Sequence, residues 1–140
     1  MAEAFYAQDG DVGELVLDAP PLNLFSSAML DDLEAAIVTA RDSGPRALIF
    51  RARGDVVSAG VDVHVFEGLD AAGADALTAR LMGFAHAVED LPCPTLAVAH
   101  GLCLTAALEL SLACDLLWAG EGVQFGFCLL YTSPSPRDRS

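Results

Sequence analysis

The chain has 140 residues, of which 20 are acidic and seven are basic, so its formal net charge is −13. All seven basic residues are arginine and they form no basic patch, which excludes a nucleic-acid-binding surface. A hydrophobic content of 54% argues against disorder, and the length corresponds to at most one domain with a real core.

The positions of cysteine and histidine bear on redox state and metal binding. The four cysteines show no CxxC pairing, which indicates reduced thiols in a cytoplasmic protein; they are Cys93, Cys103, Cys114 and Cys128. The three histidines form no ligand motif, so we expect no metal site. We expect no signal peptide, because the N-terminus carries Glu3 and lacks a basic start followed by an apolar run. We expect no membrane span, because the most apolar region, residues 96–119, contains His100, Glu109 and Asp115.

The first third of the chain predicts a β-hairpin followed by a helix. Phe5–Gln8 and Glu14–Leu17 flank a turn-forming Asp-Gly-Asp triplet. Ser26 or Ser27 then caps a helix that runs to about Asp42, and Gly44-Pro45 ends it. The apolar stripe of this helix comprises Leu30, Leu33, Ile37 and Ala40.

The middle of the chain predicts a strand at Ala47–Arg51 and a second amphipathic helix at Ala71–Leu91. Between them, Ser58-Ala59-Gly60 is a tight turn of small residues, which we place at the end of another strand. Such a turn exposes backbone N–H groups to a ligand, although an ordinary connecting loop has the same composition.

Three further elements follow. Thr95–Ala99 predicts a short buried strand, His100-Gly101 breaks it, and a helix runs from about Thr105 to Cys114. Leu116–Ala119 predicts another strand. The whole pattern is an α/β fold with crossovers, and in such sheets ligands bind at the carboxyl ends of strands. The loops at 58–62 and 101–106 both follow strands, so we expect both to face one site.

Glu109 is the one carboxylate within the apolar stretch between His100 and Asp115. Burying an ionised carboxylate is costly, so we expect Glu109 either to reach an edge or an arginine, or to exchange protons with a ligand. It lies one turn after Thr105, near a helix N-terminus where free N–H groups favour negative charge. N–H donors beside a carboxylate suit a reaction that develops an oxyanion.

The order of motifs carries a family resemblance. The chain has a hairpin, PPLNLFS before a helix, a strand, SAGVD, PCPTLAVAHGLCL, and a helix whose glutamate precedes ACDL. In this combination it resembles the crotonase superfamily, that is, the enoyl-CoA hydratases and isomerases, from Phe5 to about Phe127. The implied fold class is α/β, the N-terminal part of a crotonase-like ββα spiral, truncated.

The resemblance implies that an acyl-CoA thioester binds between the two loops, with coenzyme A as part of the substrate and no separate cofactor. The N–H groups of Val61 and Ala106 would form an oxyanion hole for the carbonyl oxygen as an enolate develops. Glu109 falls on the family's first catalytic glutamate, which activates water or moves a proton. The other lining residues would be Ser58, Ala59, Gly60, Asp62, Leu104 and Thr105. The intact protein would be a homotrimer or a dimer of trimers.

Two departures from the family pattern affect this interpretation. Thr105-Ala106-Ala107 stands where consecutive glycines are common, so methyl groups narrow the approach of the thioester. Phe125-Gly126-Phe127 is followed by Cys128, where the family continues FG-x-P-E, so the second catalytic glutamate is absent. We therefore expect residues 1–128 to be a partial domain, inactive alone, and residues 129–140 to be a disordered tail that is not native sequence.

The sequence is also compatible with two other functions. A non-catalytic scaffold or CoA-thioester-binding remnant would keep the loops but not complete the chemistry. A serine hydrolase would use Ser58 with His100 and Asp62, although the G-x-S-x-G elbow of many such enzymes is missing.

Overall fold

The computed structural model describes residues 1–127. The predicted tail and the 1–128 domain boundary therefore lie outside the described residues. The strands are β1 (Ala4–Asp9), β2 (Val12–Leu17), β3 (Ala47–Ala52), β4 (Thr95–Ala99), β5 (Leu102–Leu104), β6 (Leu116–Ala119) and β7 (Gln124–Gly126). The α-helices are α1 (Ser27–Ser43), α2 (Ala71–Glu89) and α3 (Ala106–Ala113), and Val63–Phe66 forms a short 3₁₀ helix.

Five strands form the main sheet, in the order β1-β2-β3-β4-β6. β1 and β2 are the predicted antiparallel hairpin, and every later neighbour is parallel. Each parallel connection carries a helix, which confirms the predicted α/β fold with crossovers. β5 and β7 pair in a separate parallel sheet. The sequence analysis missed β5, because three residues are too few to show an alternating pattern.

Helix α1 has a cap at each end and buries one apolar face. Ser26 is the N-cap, and its hydroxyl accepts a hydrogen bond of 3.0 Å from the Met29 N–H. Gly44 ends the helix in the left-handed conformation with φ +61°. The predicted apolar stripe is buried against the sheet, where Leu33 and Ala40 are fully inaccessible to solvent. Both the caps and the buried face therefore follow from the sequence.

The segment between β3 and the 3₁₀ helix differs from its prediction. We expected a strand that ends at Ser58, but the described structure has only single-residue bridges there, from Ser58 to Cys103 and from Val61 to Phe25. The prediction of a strand was wrong, because the backbone groups around Ser58 bond the short β5 rather than the main sheet. Asp62 caps the 3₁₀ helix by accepting a hydrogen bond from the His64 N–H.

Several large apolar side chains lie on the surface near the last strands. Leu116 and Trp118 of the edge strand β6 are exposed, Trp118 to 67%, and so are Leu112 of α3 and Phe125 of β7. Within α3, Leu108 is buried, whereas Leu112, one turn later, is exposed. Within residues 1–127, no helix combines the length and the apolar character that crossing a bilayer requires.

Candidate active site

The two loops singled out in the sequence lie side by side. The Ser58 N–H donates to the Leu102 carbonyl at 3.1 Å, and the Leu104 N–H donates to the Ser58 carbonyl at 3.1 Å. The Val57 N–H also donates to Leu102, at 2.9 Å. These bonds join the segment before Gly60 to β5, and β5 leads directly into α3. The structure thus brings the loops at 58–62 and 101–106 together.

The two loops also approach each other at Gly60 and Thr105. Gly60 has φ +119°, and a Cβ atom there would lie 3.1 Å from the Thr105 Oγ1. A side chain at position 60 would therefore be strained and would crowd the threonine. Glycine at this position allows the two loops to approach each other.

Two backbone N–H groups at this junction have no acceptor within residues 1–127. The Phe25 N–H donates to the Gly60 carbonyl and the Asp62 N–H donates to the Phe25 carbonyl, so this bridge uses the residues on either side of Val61. The Val61 N–H is left without a partner in the described part of the chain. The Ala106 N–H is likewise unpaired there, because Ala106 is the first residue of α3.

Thr105 connects β5 to α3 in an unusual backbone conformation. Its φ is +48° and its ψ is −117°, a combination that costs a β-branched residue roughly 1–3 kcal/mol. Its N–H donates to the Gly126 carbonyl at 2.9 Å and its carbonyl accepts from the Glu109 N–H at 3.0 Å. The Thr105 hydroxyl makes no capping bond, and its oxygen is buried without a partner among residues 1–127.

The position of Glu109 corrects the argument from burial. The sequence placed this carboxylate in an apolar helix, but α3 buries the residues on either side and leaves Glu109 exposed, on the same face as Leu112. It therefore reaches an edge of the structure. No arginine or histidine nitrogen of residues 1–127 lies within 4.0 Å of it, so the alternative of an ion pair with arginine is not observed in that part of the chain.

The other predicted lining residues differ in accessibility. Ser58 is fully buried, and its hydroxyl accepts from the Gly60 N–H at 3.0 Å, so it shapes the loop rather than facing a ligand. Ala59, Asp62 and Leu104 are partly exposed. The Ala59 N–H donates to the Leu22 carbonyl at 2.9 Å, which leaves no backbone donor at this residue for a ligand.

Asn23 is a site-shaping residue that the sequence analysis missed. It is fully buried, its Oδ1 accepts from the Ala19 N–H at 2.7 Å, and its Nδ2 donates to the carbonyls of Arg53 and Val56. It thereby ties the segment before α1 to the segment that leads into Ser58. The available signal was a single amide side chain within the apolar run Leu22–Phe25.

The thiols near the site are held in their neutral form. Burial raises the pKa of the Cys103 thiol, which lies 3.6 Å from the Ser111 hydroxyl. Burial also raises the pKa of the Cys114 thiol to about 11. Neither is a nucleophile at neutral pH, because the thiolate is the reactive form. Within residues 1–127, no three side chains of histidine, cysteine, aspartate or glutamate are grouped so as to hold a metal ion.

Comparison with known proteins decides the family. A family model described as enoyl-CoA hydratase/isomerase matches residues 7–130, which is most of the chain. The chain belongs to the enoyl-CoA hydratase/isomerase family. The crotonase resemblance and the α/β fold class inferred from the motifs are thereby confirmed.

Several relatives in this family resemble the chain in both sequence and fold. It is 33% identical over 122 residues to a probable enoyl-CoA hydratase of Bacillus subtilis, covering 86% of this chain and 47% of the relative. The crystal structure of a probable enoyl-CoA hydratase from Mycobacterium smegmatis superposes with a TM-score of 0.82 at 26% identity, covering 93% of this chain and 54% of that one. An enoyl-CoA hydratase/isomerase from Xanthobacter autotrophicus gives a TM-score of 0.81 at 29% identity, covering 89% and 48%. The chain thus spans about half the length of these relatives.

The arrangement of Ser58, His100 and Asp62 does not support the serine hydrolase alternative. Ser58 Oγ bonds within its own turn, the Asp62 carboxylate caps the 3₁₀ helix, and His100 Nε2 lies 2.8 Å from the Gly54 carbonyl. Within residues 1–127, no hydrogen bond joins Ser58 to His100 or His100 to Asp62. The three residues are therefore not arranged as a nucleophile, a base and an orienting acid.

Proposed function

We propose that this chain forms the enolate-stabilising half of an acyl-CoA enzyme, a hydratase or isomerase in its intact form. The observation that carries the proposal is the pairing of the two loops, which leaves the N–H groups of Val61 and Ala106 without acceptors among residues 1–127. Two such donors, aimed at a thioester carbonyl oxygen, stabilise the negative charge that develops there when a proton leaves the neighbouring carbon.

Glu109 supplies the proton transfer in this proposal. It lies in the first turn of α3, one turn beyond the Ala106 donor, and its carboxylate is exposed and accessible to a ligand. Ala59, Gly60, Asp62 and Leu104 border the thioester. Coenzyme A enters as part of the substrate, and we propose that the intact protein assembles as a homotrimer or a dimer of trimers.

The first test is deuterium incorporation at the α-carbon of a saturated acyl-CoA in heavy water, followed by mass spectrometry. This partial reaction needs only enolate stabilisation and one base. Glu109→Gln should slow it by about 10²–10⁴-fold, because a positioned general base contributes that much. The matched control is Glu89→Gln, an exposed carboxylate near the opposite end of β4, which should leave exchange unchanged. Equal rates in the two variants would remove Glu109 from the mechanism.

The second test removes one backbone donor. Ala106→Pro deletes the N–H at the first position of α3, where proline suits a helix, and should slow exchange by about 10²–10³-fold. Ala71→Pro makes the same change at the first position of α2, away from both loops, and should keep the parent rate. Circular dichroism of both variants reports whether the helices persist. Unimpaired exchange in folded Ala106→Pro would refute the oxyanion-hole assignment.

A second candidate, a non-catalytic CoA-thioester-binding or scaffold protein, is favoured by one observation. Glu109 is the one carboxylate of the proposed pair that the chain supplies, because Cys128 follows Phe127 where a Pro-Glu would complete the motif. We propose that this 140-residue chain alone does not hydrate an enoyl-CoA. Binding of an acyl-CoA without α-proton exchange would establish the scaffold role, whereas exchange without hydration would support the half-site enzyme.

A further inference from the structure

Thr105 combines two unfavourable features at the junction of the loops. Its Oγ1 is shielded from solvent and has no hydrogen-bond partner among residues 1–127. Buried hydroxyls in folded proteins nearly always have a partner, so this atom calls for an explanation. Its backbone has a positive φ that glycine would adopt freely and that a β-branched residue rarely adopts. Such strain is concentrated at functional sites, where it is part of the mechanism.

The hydroxyl belongs to the residue before one proposed donor and lies close to the residue before the other. The Oγ1 is 3.1 Å from the position that a Cβ of Gly60 would occupy, and Gly60 directly precedes Val61. Thr105 itself directly precedes Ala106. Its peptide N–H and carbonyl are already bonded to Gly126 and Glu109, so the hydroxyl is the one polar group of this residue without a partner among residues 1–127.

We propose that the Thr105 hydroxyl donates a third hydrogen bond to the thioester carbonyl oxygen, beside the N–H groups of Val61 and Ala106. This inference rests on the proposed function and deepens it. A bound carbonyl oxygen supplies the acceptor that the described chain does not. This third hydrogen bond also accounts for the strained backbone at Thr105, which fixes the position of the side chain before substrate binds.

The test separates the hydroxyl from the shape of the side chain. Thr105→Val keeps the branched shape and removes the donor, whereas Thr105→Ser keeps the donor and removes the methyl group. The probe is a saturated acyl-CoA labelled with ¹³C at its carbonyl, bound to the full chain and observed by isotope-edited infrared spectroscopy. Hydrogen bonds to the carbonyl lower its stretching frequency, and the packing of a methyl group does not.

The parent chain and Thr105→Ser should show the carbonyl band shifted down from its position in solution. Thr105→Val should shift the band back towards that position and slow α-proton exchange by about 10- to 100-fold. If Thr105→Val keeps the parent band while Thr105→Ser alters it, the threonine acts by packing and the inference is wrong, although the two-donor site stands. If the parent chain binds no acyl-CoA, the proposed function fails, and the inference fails with it.

Discussion

Gly101 allows the loop at 101–106 to approach the backbone of residues 55–56, which lead into the loop at 58–62. It joins β4 to β5 with φ +59°, and a Cβ atom at this position would lie 2.1 Å from the Asp55 carbonyl oxygen and 3.1 Å from the Val56 Cα. Restoring even a 3.0 Å separation from the oxygen requires a movement of 0.9 Å. Both clashing atoms are backbone, so no side-chain rotation relieves them.

The expected cost of Gly101→Ala has two parts. The left-handed conformation costs an alanine about 1–2 kcal/mol, and overpacking adds about 1–3 kcal/mol, so the free energy of unfolding should fall by about 2–5 kcal/mol. Gly10→Ala is the matched control, because Gly10 has nearly the same φ, +57°, and no atom of residues 1–127 lies within 4 Å of its added Cβ. That variant should lose only the conformational part, about 1–2 kcal/mol.

The assay is urea unfolding of the full chain and both variants, monitored by circular dichroism. The free energies of unfolding are compared only if the dependence on urea concentration is the same in all three proteins. Gly101→Ala should also weaken acyl-CoA binding more than Gly10→Ala, because the displaced backbone continues into Val57 and Ser58, which bond β5. If Gly101→Ala costs no more than Gly10→Ala, the close approach of the two loops inferred from the structure is refuted.

Two further predictions concern the buried amide of Asn23 and the partly buried thiol of Cys114. Asn23→Ala should lower the free energy of unfolding by about 3 kcal/mol or more, because it leaves the Ala19 N–H and two carbonyls without their partner. Asn23→Asp, which cannot donate to both carbonyls, should also destabilise in urea unfolding; a fully stable aspartate variant would contradict this role. Because the Cys114 pKa is raised from 9.0 to about 11, alkylation of this thiol at pH 8 should be about 100-fold slower in the folded chain than in denaturant, measured by peptide mass spectrometry. Because the pKa is raised in the folded chain, the contribution of the neutral thiol to the free energy of unfolding is complete below pH 9 and is lost as the pH rises towards 11. The free energy of unfolding of Cys114→Ala should therefore fall less than that of the parent chain between pH 9 and pH 11. Rapid labelling of the native thiol at pH 8 would contradict the burial.

Local patterns predicted most of the secondary structure correctly. The hairpin, a serine cap at position 26 or 27, the Gly44 termination and the buried stripe of α1 were predicted from the sequence, because turn chemistry, capping and helical periodicity are properties of a few neighbouring residues. The structure selects Ser26 as the cap. The predicted strand before Ser58 and the missed β5 failed for the opposite reason. Residues 57–58 and 102–104 pair with each other across more than 40 positions of sequence.

Glu109 shows the same limit within the site. The apolar residues around it suggested a buried carboxylate, but α3 has a buried face and an exposed one, and Glu109 lies on the exposed one with Leu112. Which face of a short, largely apolar helix is covered depends on what packs against it. Composition alone does not contain that information.

The sequence by itself determined the order of elements, the motifs that indicate the family, and the positions of the glycines and of Glu109. Each of these depends on residue identity and local spacing. Only the tertiary structure decided that Gly60 and Thr105 meet, that the N–H groups of Val61 and Ala106 have no acceptor within residues 1–127, and that the Thr105 hydroxyl is buried without a partner there. These features arise from long-range backbone pairing and close packing, because a hydrogen bond or a steric contact between distant residues exists only once the chain is folded.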